Sequence, residues 1–248
     1  MNFLVQVPNP EPMAWSNAAR KLVALGVDVI VTYGAPATLT VMKETSSIPV
    51  IFAGVYNPDK MNISGKNATG ISSKIPMDDL LKKLSSVKKF STLGVVFNKA
   101  EKDTILQVLE IKKLEAALGF KAVLFDARKK GVVSAIKGVD AILMTTSCSA
   151  MQQVSEVVKA ARQHKIPSAA SITGGEEAGI LITLSASPDE QGRVAGEMLL
   201  KILNGNAISS IAQKTPSEFE YSVNVREAEA QGFSIPDSVK SGATRVIK

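Results

Sequence analysis

The sequence predicts an α/β fold of two lobes, each built on a parallel sheet, and three observations predict it. Short runs rich in Val and Ile alternate with segments of helical period along all 248 residues. Most of the strand-like runs are apolar throughout, as strands covered on both faces are. A βαβ unit also recurs. Gly26-Val27-Asp28-Val29-Ile30 leads through a helix to Ile48-Pro49-Val50, and Gly138-Val139-Asp140-Ala141-Ile142 leads through a longer one to Ile166-Pro167-Ser168. Two similar lobes explain this better than one long sheet, the alternative being chance likeness between two units of a parallel fold.

In chain order, Phe3–Val7 reads as a strand from its apolar run and Met13–Leu25 as a helix closed by Gly26. Strand Val29–Tyr33, helix Ala37–Thr45 and strand Val50–Val55 follow, the last entered through Ile48-Pro49. Helix Met77–Lys83 precedes the polar stretch Ser85–Thr92, which is the candidate boundary between lobes. Strand Leu93–Asn98, helix Lys102–Leu118 with its stop at Gly119, and strands Ala122–Asp126 and Ala141–Thr145 come next. Helix Ser149–Gln163, strands Ser168–Ser171 and Ile180–Leu184, helix Asp189–Asn204 closed by Gly205, strand Glu220–Val225 and helix Arg226–Gln231 complete the pattern.

Composition narrows the classes. With 45% apolar and 21% charged residues the chain has the material for packed cores, which excludes wholesale disorder. Its 17 Gly and 11 Pro exclude collagen-like and low-complexity chains. No apolar run reaches the roughly 18 to 20 residues that cross a bilayer. The net charge of +6 comes from scattered pairs such as Lys82-Lys83, Lys88-Lys89, Lys112-Lys113 and Lys129-Lys130. Without interleaved aromatic residues these read as solvated faces, so no nucleic-acid partner is expected. Cys148 is the only cysteine, so an internal disulfide is excluded. Met1 to Pro12 has neither the basic start nor the apolar run of a signal peptide, which constrains location only weakly.

In open parallel sheets, ligands bind beyond the carboxyl ends of the strands, where helix N-termini offer unpaired N–H groups. The duplicated units place two loops there, Tyr33-Gly34-Ala35-Pro36-Ala37-Thr38 and Thr145-Thr146-Ser147-Cys148-Ser149. Tyr33, Gly34, Ala35, Thr38, Thr145, Thr146 and Ser147 are therefore candidate ligand residues. Helix capping is the alternative for each hydroxyl. Tyr56 and Asn57 follow the next strand and offer a ring for stacking and an amide, although Asn-Pro also makes a plain turn. Thr173 stands beside Gly174-Gly175, a hinge or a turn, at the end of another strand.

Catalytic equipment is sparse. His164, the only histidine, ends a helix at the opposite edge of the sheet, where it reads as a surface residue. Nucleophilic dyads and triads and Cys/His zinc sites therefore lack their histidine. Neither G-x-G-x-x-G after the first strand nor G-x-x-x-x-G-K-[ST] occurs. Cys148 reads as a buried structural thiol, and the acidic pairs Asp78-Asp79 and Glu176-Glu177 point apart. The chain is expected to be no enzyme and to need no cofactor or metal. A small α/β enzyme using Cys148 or Asp126 is the least favoured reading.

Several segments resemble the solute-binding proteins of ATP-binding-cassette transporters, in the branch that includes tryptophan and phenylalanine binders. They are Val27–Val31, Gly34-Ala35-Pro36-Ala37, Ile48–Ala53, Asn57-Pro58, Asn67–Ser72, Leu93–Asn98, Gly192–Met198, and the tail from Asn224-Val225 to Gly232–Pro236. The resemblance runs in order along nearly the whole chain. It implies two Rossmann-like lobes of the type I periplasmic-binding-protein fold, with a ligand cleft between the lobes, closed by a hinge and presented to a permease and its ATPase. It implies lobes of residues 1–88 with 186–216 and 89–185 with 217–248, three chain crossings, and Ser72 and Ser187 as further ligand residues near those crossings. It also implies an extracytoplasmic place, periplasmic or membrane-anchored. A ligand-sensing domain of a signalling system is the alternative use of the same fold.

Two departures from the family carry expectations of their own. The chain starts at what resembles the family's second strand, so its start is truncated or misassigned, or a second copy covers the gap as a homodimer. The family's amino-acid binders tend to place acids in the ligand loops, whereas Asn57, Ser147 and Ser187 stand there here. A buried ammonium without a carboxylate is costly. A small neutral or anionic solute is therefore expected ahead of a free amino acid.

Overall fold

The computed structural model describes residues 1–63, 67–129, 131–132 and 136–248. Lys130, of the pair Lys129-Lys130, lies outside the described residues. The elements are α1 (Pro12–Ala24), β1 (Ile30–Tyr33), α2 (Ala35–Glu44), β2 (Val50–Val55), β3 (Ala68–Ser72), α3 (Met77–Val87), β4 (Thr92–Phe97), α4 (Lys102–Leu118), β5 (Lys121–Asp126) and β6 (Ala141–Met144). They continue with α5 (Cys148–Met151), α6 (Val154–His164), β7 (Ser168–Ala170), α7 (Gly175–Ala178), β8 (Ile182–Ala186), α8 (Pro188–Leu203), β9 (Phe219–Asn224), α9 (Val225–Ala230), α10 (Asp237–Lys240) and β10 (Arg245–Ile247).

The chain divides into two compact units, Met1–Lys74 with Ala186–Glu218 and Ile75–Ser185 with Phe219–Lys248, so it passes from one to the other three times. Helix α3, placed by the sequence reading in the first lobe, belongs to the second unit, where it packs on α4, β7 and α10. Its buried Met77, Leu80, Leu81 and Leu84 recur at helical spacing and make that face.

The first unit carries a three-stranded sheet in the order β1-β2-β3, with both pairings parallel. All of β2 is buried, as befits the central strand. Helix α8 lies on β2 and β3, with Val194, Ala195 and Met198 packed on Ile51, Ala53 and Ile71. Each of the Val, Ile and Met side chains, fully buried, contributes roughly 1.5–3 kcal/mol. Strand β1 is an edge with alternate residues exposed, among them Val31 and Tyr33. The expected strand Phe3–Val7 does not form. The segment is irregular and exposed, because an apolar run with no hydrogen-bonding neighbour has nothing to hold it extended.

The second unit carries a seven-stranded sheet, β10-β9-β8-β7-β6-β4-β5. The β4–β5, β4–β6, β6–β7, β7–β8 and β9–β10 pairings are all parallel. The duplicated unit is visible in both sheets. In each, a glycine at positive φ, Gly26 or Gly138, precedes a strand that pairs through a helical crossover with the next, β1 with β2 and β6 with β7. The single helix expected over Ser149–Gln163 is two, α5 and α6, because Gln153 leaves helical geometry and its amide donates to the Ala127 carbonyl. Asp140 joins strand starts, accepting from the N–H and hydroxyl of both Ser91 and Thr92.

Candidate functional site

In the first unit the expected ligand residues gather at the carboxyl ends of the strands, yet most are occupied by the fold. Gly34 turns from β1 into α2 at φ 89°, a conformation other residues rarely adopt. Ala35 and Thr38 are buried, and the Thr38 hydroxyl donates to the Gly34 carbonyl at 2.8 Å and meets the Thr32 hydroxyl at 2.9 Å. Ser187 caps α8, accepting from Glu190 N–H at 3.3 Å. Asn57 accepts from Lys60 N–H, as a turn-forming Asn does. Tyr56, expected to offer its ring, is instead 1% exposed and sits in the core. Tyr33 is 70% exposed, its ring against Gly54, where a Cβ would stand 3.1 Å from the ring. Among the described residues the buried Ser72 hydroxyl has no partner, while its carbonyl and the Gly54 N–H are bridged by the buried amide of Gln191.

In the second unit the loops after β4, β6 and β7 converge on one polar cluster. Thr145 is structural, its hydroxyl donating to the Val96 carbonyl at 3.0 Å. Thr146 N–H donates to Gln107 Oε1 at 3.2 Å, and its hydroxyl donates to the Ser171 carbonyl at 3.0 Å. Ser171 in turn donates to Gln107 Oε1 at 2.7 Å. Ser147 caps α5 and donates to Glu101 Oε1 at 3.1 Å. Asn98 donates to the same carboxylate at 2.6 Å and to the Ser149 hydroxyl at 3.0 Å. Thr173 is half-buried at the end of the β7 loop.

Asn98, Glu101, Gln107 and Ser171 of this cluster, and Asp103 beside it, were not chosen from the sequence. The loop after Leu93–Asn98 stands at the same strand ends as those chosen, and that rule alone would have reached Asn98 and Glu101. Burial raises the Glu101 carboxyl above its ordinary range, against the hydrogen bonds from Ser147 and Asn98. Asp103 is 2% exposed, and burial followed by the Glu101 charge pushes it up to about 7. Cys148, expected to be buried, is exposed, its thiol pushed up by partial desolvation and then by Glu101 and Asp103. A thiol held protonated in this way is a poor nucleophile. His164 is a surface residue at the end of α6, as expected. A groove of 470 Å³ beside α8 is lined by Glu197, Lys201 and Lys214 among others, none of them from the strand-end loops.

Among the described residues these loops carry carboxylates, amides and hydroxyls at the carboxyl ends of a parallel sheet. A family model for ABC transporter substrate-binding proteins matches residues 8–247. The chain belongs to that family. Proteins of this kind bind their substrates rather than transform them, and they work outside the cytoplasm. A tyrosine-binding protein of Clostridioides difficile (strain R20291) is 25% identical over 218 residues, which cover 83% of this chain and 63% of the relative. The chain therefore spans less than two thirds of that relative's length. Among solved structures, an ABC domain from Streptococcus pneumoniae in complex with L-Trp superposes with a TM-score of 0.89 at 24% identity, over 96% of this chain and 86% of that one. A conserved domain protein from Vibrio cholerae gives 0.88 at 24%, over 95% and 84%. A ligand-free, open substrate-binding protein with adhesive properties from Clostridium difficile gives 0.70 at 25%, over 96% and 84%. These likenesses establish the type I periplasmic-binding-protein fold for this ABC substrate-binding chain. Among its described residues no helix is long and apolar enough to cross a membrane.

Proposed function

We propose that the chain is the solute-capturing component of an ABC uptake system, that its solute is a small amino-acid-like molecule, and that polar residues of the strand-end loops supply the contacts. One observation carries this reading: the cluster in which Asn98, Glu101, Gln107, Thr146, Ser147, Ser149 and Ser171 are joined at the carboxyl ends of β4, β6 and β7. The tyrosine-binding relative supports an amino acid over a sugar or an oxyanion. Tyr33, Ser72, Thr146, Ser147 and Thr173 are the residues proposed to face it from the sequence-chosen set. Gly34, Ala35, Thr38, Asn57, Thr145 and Ser187 shape the loops that present them, and Tyr56 packs beneath.

The proposed partners are a membrane permease and its ATPase, and the proposed place is periplasmic or membrane-anchored on the outer side of the cell membrane. A homodimer is proposed on edge strand β1, where Val31 is exposed, and sedimentation against concentration tests it. The solute reading is tested by thermal shift and calorimetry with the 20 common amino acids, sugars, nucleobases and small carboxylates. A solute at 100 times its dissociation constant adds about 2.7 kcal/mol to the folded state, a shift of a few degrees. A response confined to amino acids is expected, and silence across the panel overturns the reading.

A further inference from the structure

Lysines gather along the edge of the second sheet where its strands begin. Strands β7, β6, β4 and β5 are neighbours and run parallel, so all four start on one side. The stretches leading into them, residues 88–91, 119–121, 136–140 and 164–167, carry Lys88, Lys89, Lys121, Lys137 and Lys165, with His164 beside the last. All six residues are exposed. Hydrogen bonds tie the stretches together. Lys88 Nζ donates to the Lys165 carbonyl at 3.1 Å, Ser91 N–H to Asp140 at 3.0 Å, and Lys121 N–H to the Ser91 carbonyl at 2.8 Å. Residues as far as 77 positions apart in the chain thus share one face.

The charge of this face is not neutralised within it. Asp140 is the only acid in those stretches, and four donors from Ser91 and Thr92 already occupy its carboxylate. Among the described residues none of the five lysines is in an ion pair, although Lys82, Lys83, Arg128 and Arg162 of the same unit each have an acid. Helix C-termini favour a cation, which accounts for Lys88 after α3 and Lys165 after α6. It does not account for Lys121, which opens β5 two residues past the cap Gly119. Lys165 is also held at φ 49°, the left-handed conformation that Gly119 takes at the end of α4, so a lysine stands where glycine is the easier cap. Neighbouring strands lie about 4.8 Å apart, which spreads the array over about 15 Å. An array that broad fits an extended anionic surface better than one small anion. Phe90 packs on Phe120 and Phe233 lies under Lys88, so these rings do not form the stacking platform that a nucleic acid uses.

We propose that this edge of the second unit docks on an anionic lipid bilayer, its lysines meeting the phosphate headgroups. The family serves membrane transporters outside the cytoplasm, where a bilayer lies at hand. A headgroup plane presents phosphates across the full width of the array, and each lysine held near such a surface gains about fivefold in binding. The loops of Asn98, Glu101 and Ser147 follow the other ends of β4 and β6, so docking by this edge leaves them clear of the lipid. The proposal goes beyond the solute-binding reading and does not depend on which solute is captured.

The test is co-sedimentation of the full chain with vesicles of phosphatidylcholine alone and of phosphatidylcholine with about 30% phosphatidylglycerol, in low salt and in about 0.5 M salt. Binding is expected on the phosphatidylglycerol vesicles only, and is expected to fall at least tenfold in the higher salt. Lys89→Glu, Lys121→Glu and Lys137→Glu combined are expected to weaken it about a hundredfold, and the same three positions changed to Arg to keep it. Lys21→Glu, Lys43→Glu and Lys60→Glu in the first unit change the net charge equally and are expected to weaken it less than tenfold. Thermal melting checks that the Glu variants are folded. If the triple variant melts early, Lys89→Glu alone is read, with a loss of about fivefold expected. A parent chain that ignores phosphatidylglycerol vesicles, or binds neutral ones as well, overturns the proposal. Equal loss in the two triple Glu variants assigns binding to net charge and overturns the face. Soluble polyphosphate that binds as tightly as vesicles of equal phosphate content overturns the bilayer as its partner.

Discussion

Asp103 and Asp140 are both aspartates of the second unit, and they respond to pH in opposite directions. Asp103 titrates near 3.8 when unfolded and at about 7 when folded. Between those values the folded chain keeps a proton that the unfolded chain has lost, so stability declines as pH rises through that window and levels off above it. The shift corresponds to at most about 4 kcal/mol. Urea midpoints at pH 5 and pH 8 are expected to show the part of that loss above pH 5, at most about 2.7 kcal/mol, in the parent chain and much less of it in Asp103→Asn. Asp140 is the reverse: hydrogen bonds from Thr92 and Ser91 hold its carboxyl far below the usual range. Its contribution is present above the ordinary carboxylate range and fades as pH falls through it into strong acid. Asp140→Ala, which leaves the donors of Ser91 and Thr92 unmet, is expected to cost about 1–2 kcal/mol at pH 7 in a denaturant titration, because the site is partly open to water.

At the scale of elements, the sequence was most legible where local signals and packing agreed. Helix Lys102–Leu118 is found at its expected bounds, with Gly119 in the left-handed conformation that ends it. Strand β3 was missed because in Ala68-Thr69-Gly70-Ile71-Ser72 the two strand formers, Thr69 and Ile71, are diluted by alanine, glycine and serine. The reason for that glycine is tertiary. Gly70 pairs with Phe52 of β2, and a Cβ at position 70 would meet the Phe52 carbonyl oxygen at 1.9 Å and its ring at 2.6 Å. Gly70→Ala is therefore expected to lower the melting temperature of the first unit by several degrees, whereas Gly192→Ala on the open side of α8 leaves it unchanged or raises it. Phe3–Val7 shows the converse error, a strand-like run without a neighbour. The site was half legible for a related reason. Strand ends can be located from periodicity, but whether a hydroxyl there faces a solute or caps a helix depends on partners distant in sequence. Thr38 and Thr146 look alike in the chain and differ in what they bond. Gln107 and Asp103 lay inside a helix, where a reading confined to loops does not look.

Over the whole molecule, the dominant fact is that neither unit is a continuous stretch of chain. Near the third crossing, Glu190 of α8 accepts from the N–H groups of Ser217 and Glu218 and from the Ser217 hydroxyl. Glu190→Gln is expected to speed amide exchange at Ser217 and Glu218 at least tenfold while leaving β4 and β6 untouched. Interleaving also sets an order in time. The sheet β1-β2-β3 leaves the ribosome with the face that α8 will cover still bare, and residues 75–185 must be made before α8 follows. At ordinary rates of synthesis that interval lasts on the order of ten seconds. For that time Ile51, Ala53 and Ile71 are without Val194 and Met198, and the nascent chain depends on whatever escorts it to keep them from the wrong neighbour.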